Sequence, residues 1–141
     1  YKYARRQWDL VDNKNLTYHY LADFDEEMIK LIKSVKGIEN TDVVEIWHND
    51  GDQILAYQRK DLVFVFNFNP VKSFTDYGFL VSPGTYEVVL NTDAVKFGGN
   101  GLSDDTVKHF TISDPLYEKE KKEWLKLYIP ARTAMVLKKT K

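Results

Sequence analysis

The stretch from Leu62 to Asn69, LVFVFNFN, decides the fold because it is apolar on two alternating faces. Successive side chains of a strand point to opposite faces of a sheet. One face carries Leu62, Phe64, Phe66 and Phe68, and the other carries Val63 and Val65. A strand of this kind belongs in the middle of a sheet that is covered on both sides.

Short stretches with the same two-residue period lie on either side of this strand. They are VVEIWH, QILAYQR, FLV, TYEVVLN, VKHFTI, WLKLYI and TAMVLKK. Turn signals separate them, and the clearest is the hairpin turn at residues 49–52, Asn-Asp-Gly-Asp. About eight short strands with such turns predict a mainly-β domain. We expect an antiparallel β-sandwich with Greek-key-like connections over residues 41–141.

A short α-helical segment is predicted before the sandwich, within residues 1–40. An apolar stripe with helical spacing consists of Phe24, Met28, Leu31, Ile32 and Val35. Asp23 and Glu26 resemble a capping box at the start of the helix, and Gly37 is placed as its C-cap. An amphipathic helix needs a partner for its apolar face. That partner is either the sandwich or a missing neighbour.

The composition argues against several classes of function. The chain has 141 residues, a net charge of −1 and no cysteine. A nucleic-acid partner would favour a basic excess, and the lack of cysteine removes disulfides and thiolate metal sites. No apolar run approaches the roughly 18 residues of a membrane span, so we expect no membrane partner. The start at Tyr1, without an initiator Met or a signal-peptide pattern, predicts a fragment of a longer protein.

The glycine cluster that follows the strand TYEVVLN has three possible interpretations. A phosphate cradle would need the Lys-Ser/Thr pair and the following helix of a P-loop, and residues 97–101 have neither. Calcium binding by Asn91, Asp93 and Asn100 would not have the spacing of an EF-hand. A broad loop with positive φ at one or more glycines is favoured by the residue chemistry.

The polar residues give no pattern typical of a catalytic or metal site. His19, His48 and His109 fall in three different predicted elements, and none has a partner at metal-ligand spacing. Most acidic residues fall in turns or on helix faces, and no serine has a G-x-S-x-G context. We therefore predict no catalytic residue, no metal and no cofactor in this chain.

Three aromatic residues are candidates for a carbohydrate site. Trp47 ends a strand beside the hairpin turn, and Tyr77 and Phe79 follow a polar segment. Aromatic rings of this kind serve as flat apolar platforms for sugar rings, with nearby amides and carboxylates bonding the hydroxyls. Packing in the core or at its rim is the favoured alternative for each ring on residue chemistry alone.

Several short motifs together resemble the C-terminal domain of 1,4-α-glucan (glycogen or starch) branching enzymes of the α-amylase superfamily. The motifs are Phe-Val-Phe-Asn-Phe at 64–68, Ser-Phe-Thr-Asp-Tyr at 73–77, Leu-Asn-Thr-Asp at 90–93, Phe-Gly-Gly at 97–99 and YIPARTAMVL at 128–137. Upstream, RQW at 6–8 and YLADFDEEM at 20–28 resemble helices that close the catalytic barrel. The chain departs from the family at Asn69, where His is frequent, and at Gly78, where Arg is frequent.

The resemblance implies a parent enzyme that cuts an α-1,4-glucan and transfers the piece to a 6-hydroxyl with retention. Its catalytic carboxylates lie on barrel strands that precede this segment, so none is assigned here. Residues 1–40 are then the helical tail of the barrel, and residues 41–141 are the C-terminal all-β domain. The implied partners are the missing barrel and α-glucan, such as glycogen or maltooligosaccharide. If the sandwich holds glucan, we expect the contacts at the three candidate rings, Trp47, Tyr77 and Phe79. The implied location is the cytoplasm. The alternative to a domain of a branching enzyme is a free-standing carbohydrate-binding or interaction module with the same β-sandwich.

Overall fold

The computed structural model of the protein describes residues 7–141, so Arg6 of the RQW motif lies outside the described part. The helices of the described part are α1 (Trp8–Asp12) and α2 (Tyr18–Ser34). Its eight strands are β1 (Val44–Asn49), β2 (Ile54–Arg59), β3 (Leu62–Asn67), β4 (Phe74–Val81), β5 (Thr85–Asn91), β6 (Lys108–Phe110), β7 (Glu123–Ile129) and β8 (Thr133–Lys139). Short 3-10 turns occur at Ile38–Asn40, Val95–Phe97 and Pro115–Glu120. The mainly-β prediction is confirmed.

The strands form two antiparallel sheets that enclose one core. The larger sheet has six strands in the order β1-β2-β3-β8-β5-β6, and the smaller sheet pairs β4 with β7. Strand β3 lies between β2 and β8, which confirms its predicted central position. Both sheets supply the buried side chains between them, among them Ile54, Val63, Val65, Phe79, Tyr86, Leu125 and Leu137. Burying each large apolar side chain contributes about 1.5 to 3 kcal/mol, so this core dominates the stability of the sandwich.

Asn67, a buried polar residue at the end of β3, ties the two sheets together. Its side-chain nitrogen lies within hydrogen-bond distance of the carbonyl oxygens of Lys72 at 2.9 Å, Ile129 at 3.1 Å and Pro130 at 3.0 Å. Its side-chain oxygen accepts a hydrogen bond from the Asn69 amide at 2.9 Å. A buried amide is tolerated only when its donors and acceptor are paired, and here the pairing fixes the end of β7 against β3.

The outer face of β3 is covered at only one end. Leu62 is fully buried in an outer cluster with Val35, Ile38, Leu90 and Val136. At the opposite end of the stretch, Phe68 is 60% exposed. Our prediction of cover on both sides therefore holds near Leu62 and is wrong near Phe68. The reason is the placement of α2, whose packing residues reach the first part of β3 only.

Helix α2 is longer than its sequence signals predicted. It begins at Tyr18 after Thr17, so the capping box predicted at Asp23 is wrong. Asp23 lies inside the helix on an exposed face, where an acidic residue needs no capping role. The helix ends at Ser34 with Val35 as its C-cap, so the C-cap predicted at Gly37 is wrong. Gly37 lies two residues later, where its left-handed φ of 78° begins the following 3-10 turn. Within the predicted stripe, Phe24, Leu31, Ile32 and Val35 contribute to the outer cluster, whereas Met28 is 40% exposed.

The glycine cluster is a loop folded around one buried carboxylate. The side chain of Asp93 accepts hydrogen bonds from the backbone N–H groups of Asn100 at 3.2 Å, Leu102 at 2.5 Å and Ser103 at 3.1 Å. Asn91 accepts a hydrogen bond from the Asp93 backbone N–H at 2.9 Å. The side-chain oxygens of Asn91 and Asp93, two of the three residues considered for calcium, thus bond the loop itself. The broad loop is confirmed, with left-handed glycines at Gly98 and Gly101.

Gly99 shows why the loop requires glycine. A Cβ atom at this residue would lie 2.2 Å from the carbonyl carbon and oxygen of Asp93, which is far inside van der Waals contact. Backbone atoms cannot move aside as a flexible side chain can. The loop also contacts α2, because the Tyr20 ring lies against Gly98 and the Phe24 ring meets Phe97 edge to face at 5.2 Å.

We expect Gly99→Ala to lower the free energy of unfolding by about 3 kcal/mol, because the new methyl group forces the backbone at Asp93 to shift. Gly51→Ala is the matched control, since the nearest atom to a Cβ there is 3.4 Å away. That control should change stability by less than about 0.5 kcal/mol. Urea unfolding of both variants checks the prediction, and equal midpoints would contradict it.

Candidate functional site

A groove of about 870 Å³ runs along β4, from the margin of the core at Trp47 and Tyr77 to the outer face of the small sheet at Gly78 and Trp124. Six of its lining residues carry its chemistry: Trp47, Tyr77, Gly78, Asp114, Tyr117 and Trp124. They come from β1, from β4 and β7, and from the segment that connects β6 to β7. The sheet edges therefore bring together side chains that are far apart in the sequence.

At the first end of the groove, a chain of hydrogen bonds holds Trp47. The indole N–H of Trp47 donates to the Tyr77 hydroxyl oxygen at 3.2 Å, and that hydroxyl donates to Asp52 Oδ2 at 3.1 Å. The ammonium group of Lys72 lies 3.4 Å from Asp52 Oδ1. The hairpin turn between β1 and β2 thus supplies a carboxylate that orients the Tyr77 hydroxyl, and the hydroxyl orients the indole.

Two irregularities in strand pairing set the orientation of the Trp47 and Tyr77 rings. The register of β1 against β2 shifts between Glu45 and Trp47, and the register of β4 against β7 shifts between Phe74 and Tyr77. Asp76 has a φ of 52° within the second shift. Extra residues of this kind twist a strand and redirect the following side chain. Burial raises the pKa of the Tyr77 phenol, which keeps it protonated as a donor to Asp52.

At the second end of the groove, Trp124 is held from three sides. Its indole N–H donates to Asp114 Oδ2 at 3.0 Å, and its ring meets the Tyr117 ring edge to face at 5.5 Å. Its six-membered ring lies against Gly78, where a Cβ atom would be only 2.9 Å away. The Trp124 backbone also exchanges two hydrogen bonds of 2.9 Å with Ile112. The hydrogen bond from Trp124 and the backbone N–H of Leu116 hold the pKa of Asp114 below its usual range.

The structure brings together all three rings predicted for a carbohydrate site, but only two of them are accessible. Trp47 is 46% exposed and Tyr77 is half-buried beside it. Phe79 is only 1% exposed and packs in the core, so its ring offers no free face to a sugar. Alternation does not separate Tyr77 from Phe79, because both side chains lie on the face of β4 that points toward the larger sheet. The difference is their position along the strand, since Tyr77 lies at the register shift and packs against the margin of the core, whereas Phe79 lies within it.

Sequence reasoning missed Trp124, Asp114 and Asp52. The alternation of WLKLYI contains a signal for Trp124, because Lys126 marks the outward face and Trp124 shares it. Nothing in the sequence spacing indicates that Asp52 meets Tyr77 or that Asp114 meets Trp124. The three histidines lie in separate elements, and in residues 7–141 there is no group of three or more His, Cys, Asp or Glu side chains placed to hold a metal ion.

Aromatic faces and hydrogen-bonding carboxylates in an open groove suit a neutral polyhydroxylated ligand, since rings pack on its C–H faces and acceptors bond its hydroxyls. Comparison with known proteins then decides the family. Residues 46–140 match the family described as "Alpha amylase, C-terminal all-beta domain". The chain belongs to this α-amylase C-terminal all-β domain family.

Curated relatives of this all-β domain are named 1,4-alpha-glucan-branching enzymes. The Saccharomyces cerevisiae protein is 38% identical over 97% of the chain. The Felis catus protein is also 38% identical over 97%, and the Emericella nidulans protein is 40% identical over 96%. The chain spans 19% of the yeast relative and 20% of each of the other two, about a fifth of their length. Within the described residues of the all-β domain chain, no helix is long and apolar enough to span a membrane.

We expect Tyr77→Phe to loosen Trp47 and to lower the free energy of unfolding by about 1 to 3 kcal/mol, because it removes the hydroxyl between the indole and Asp52. Tyr128→Phe is the control, since Tyr128 is exposed on β7 outside the groove. The measurements are urea unfolding and the NMR shift of the Trp47 indole N–H. An unmoved indole signal in Tyr77→Phe would show that the hydroxyl does not hold the ring.

Proposed function

We propose that this chain is the C-terminal β-domain of a 1,4-α-glucan-branching enzyme and that its groove holds α-glucan chains for the parent enzyme. The observation that carries the proposal is the hydrogen-bonded arrangement Trp47–Tyr77–Asp52 at the edge of the groove. The names of the relatives supply the class of sugar, and the exposed indole supplies the means of holding it. Residence in the cytoplasm, which the family resemblance implies, belongs to the same proposal.

Weak binding is enough for this role. A millimolar dissociation constant corresponds to about 4 kcal/mol, which one or two stacked rings with a few hydroxyl bonds supply. A glucan particle presents many equivalent chains, so several weak attachments raise the local concentration of chains near the enzyme. In this proposal the catalytic residues lie on the barrel, and the β-domain positions the glucan chain.

We expect maltoheptaose to bind the 141-residue chain with a millimolar dissociation constant. Amide NMR shifts should saturate and should cluster around Trp47 and Tyr77. Trp47→Ala should weaken binding roughly fivefold or more, because the exposed ring is lost. Trp8→Ala is the control, since Trp8 is an exposed ring on α1 outside the groove. A spectrum that does not move at 10 mM sugar, about ten times the expected dissociation constant, would overturn the glucan role.

A second role is favoured by the free face of α2. One face of the helix packs on the outer cluster, while a second apolar stripe is exposed and consists of Tyr18, Leu21, Met28 and Ile29. An exposed stripe of this kind on a helix indicates a neighbouring apolar surface. We propose that residues 1–40 form the helical tail of the barrel, that this stripe packs on the barrel, and that residues 41–141 form the separate sandwich.

The free stripe predicts that the isolated chain binds an apolar fluorescent dye. We expect the double variant Leu21→Gln, Met28→Gln to lower dye fluorescence severalfold with little change in melting temperature, because both side chains are exposed. Asp25→Gln, an exposed polar position on the same helix, is the control. Dye fluorescence that stays the same in the double variant would place the apolar surface elsewhere.

A further inference from the structure

Trp124 has the properties of a fixed platform rather than of a side chain that only fills space. Its N–H is bonded to Asp114 at 3.0 Å, its edge meets Tyr117, and one part of its ring lies on Gly78. The indole is nevertheless half-buried and not part of the core, and it lines the groove. A ring that is already immobilised loses little conformational entropy when a ligand packs on its free face.

We propose that Trp124, Tyr117 and Asp114 form a second sugar subsite, so that the groove takes a run of consecutive glucose units in a linear α-glucan. This inference rests on the proposed function, because it extends the groove that begins at Trp47. Trp47 belongs to β1 and Trp124 belongs to β7, and the groove between them follows β4. A ligand that contacts both indoles therefore extends along β4, which suits an oligosaccharide.

The second subsite contains the polar groups that a glucose unit needs. Both oxygens of Asp114 already accept one hydrogen bond each, from Leu116 N–H at 3.0 Å and from the Trp124 indole. A carboxylate oxygen has two lone pairs, so Asp114 keeps acceptor capacity for a sugar hydroxyl. Lys126 and Ser113 also line this part of the groove. The Lys126 ammonium and the Ser113 hydroxyl supply hydrogen-bond donors for the ring oxygen and the hydroxyl oxygens of a glucose unit.

Gly78 is the residue that makes the second subsite possible. Any larger residue would place a Cβ atom 2.9 Å from Cε3 of the Trp124 ring, and the next ring atom would be 3.3 Å away. The ring would then have to leave the surface of β4. We therefore expect Gly78→Ala to displace the indole and weaken glucan binding, although the variant keeps every aromatic residue.

The first test follows the three indole N–H signals of the unmodified 141-residue chain in a ¹H–¹⁵N spectrum. The variants Trp8→Phe, Trp47→Phe and Trp124→Phe assign them. Titration with maltoheptaose should move the Trp47 and Trp124 signals along one saturation curve and leave the Trp8 signal in place. Movement of Trp47 alone would overturn the second subsite and would leave the proposed function intact. No movement of any indole would overturn both.

The second test uses chain length. Trp124→Leu and Gly78→Ala should each weaken maltoheptaose binding roughly fivefold or more, because the longer ligand loses one of its two rings. The same variants should change the affinity for maltose by less than about twofold if maltose is held at Trp47. Far-UV circular dichroism confirms that the variants are folded. Equal losses for maltose and maltoheptaose, or no loss for either, would overturn the two-ring groove.

Discussion

A pair of β-strands cannot remain folded in water by itself, and the small sheet of this domain is such a pair. Strands β4 and β7 are stable because one face of each is buried against the six-stranded sheet through Phe79, Val81, Leu125 and Leu127. The outer face of the pair then carries the groove residues Gly78 and Trp124. This end of the groove exists because the core needs only one face of the small sheet.

The strands could be located from the two-residue alternation of apolar side chains in the sequence. LVFVFNFN indicated a central strand, and β3 is central, because a strand with two apolar faces is stable only between neighbours. The cover on its outer face could not be predicted, since the reach of α2 depends on tertiary packing. The start of α2 was missed because Asp23 and Glu26 have the same spacing inside a solvated helix as at its beginning.

The candidate site was only partly predictable, for a related reason. Trp47 and Tyr77 were singled out by their positions at a strand end and after a polar segment, and they share a hydrogen bond. Phe79 is buried although it shares a face of β4 with Tyr77, because alternation assigns a residue to a face but does not say how far along the strand the core extends. Asp93 shows the same limit, since its hydrogen-bond donors are backbone N–H groups that any sequence would supply.

The two proposed surfaces lie on opposite sides of the sandwich. Leu62, Leu90 and Val136 belong to the outer face of the larger sheet, and α2 packs there. Gly78 and Trp124 belong to the outer face of the smaller sheet, and the Trp124 end of the groove lies there. In the proposed arrangement, the surface of α2 that packs on the barrel and the Trp124 end of the groove are thus separate. Because the shared core separates the two surfaces, a substitution in the groove and one in the stripe should act independently and add.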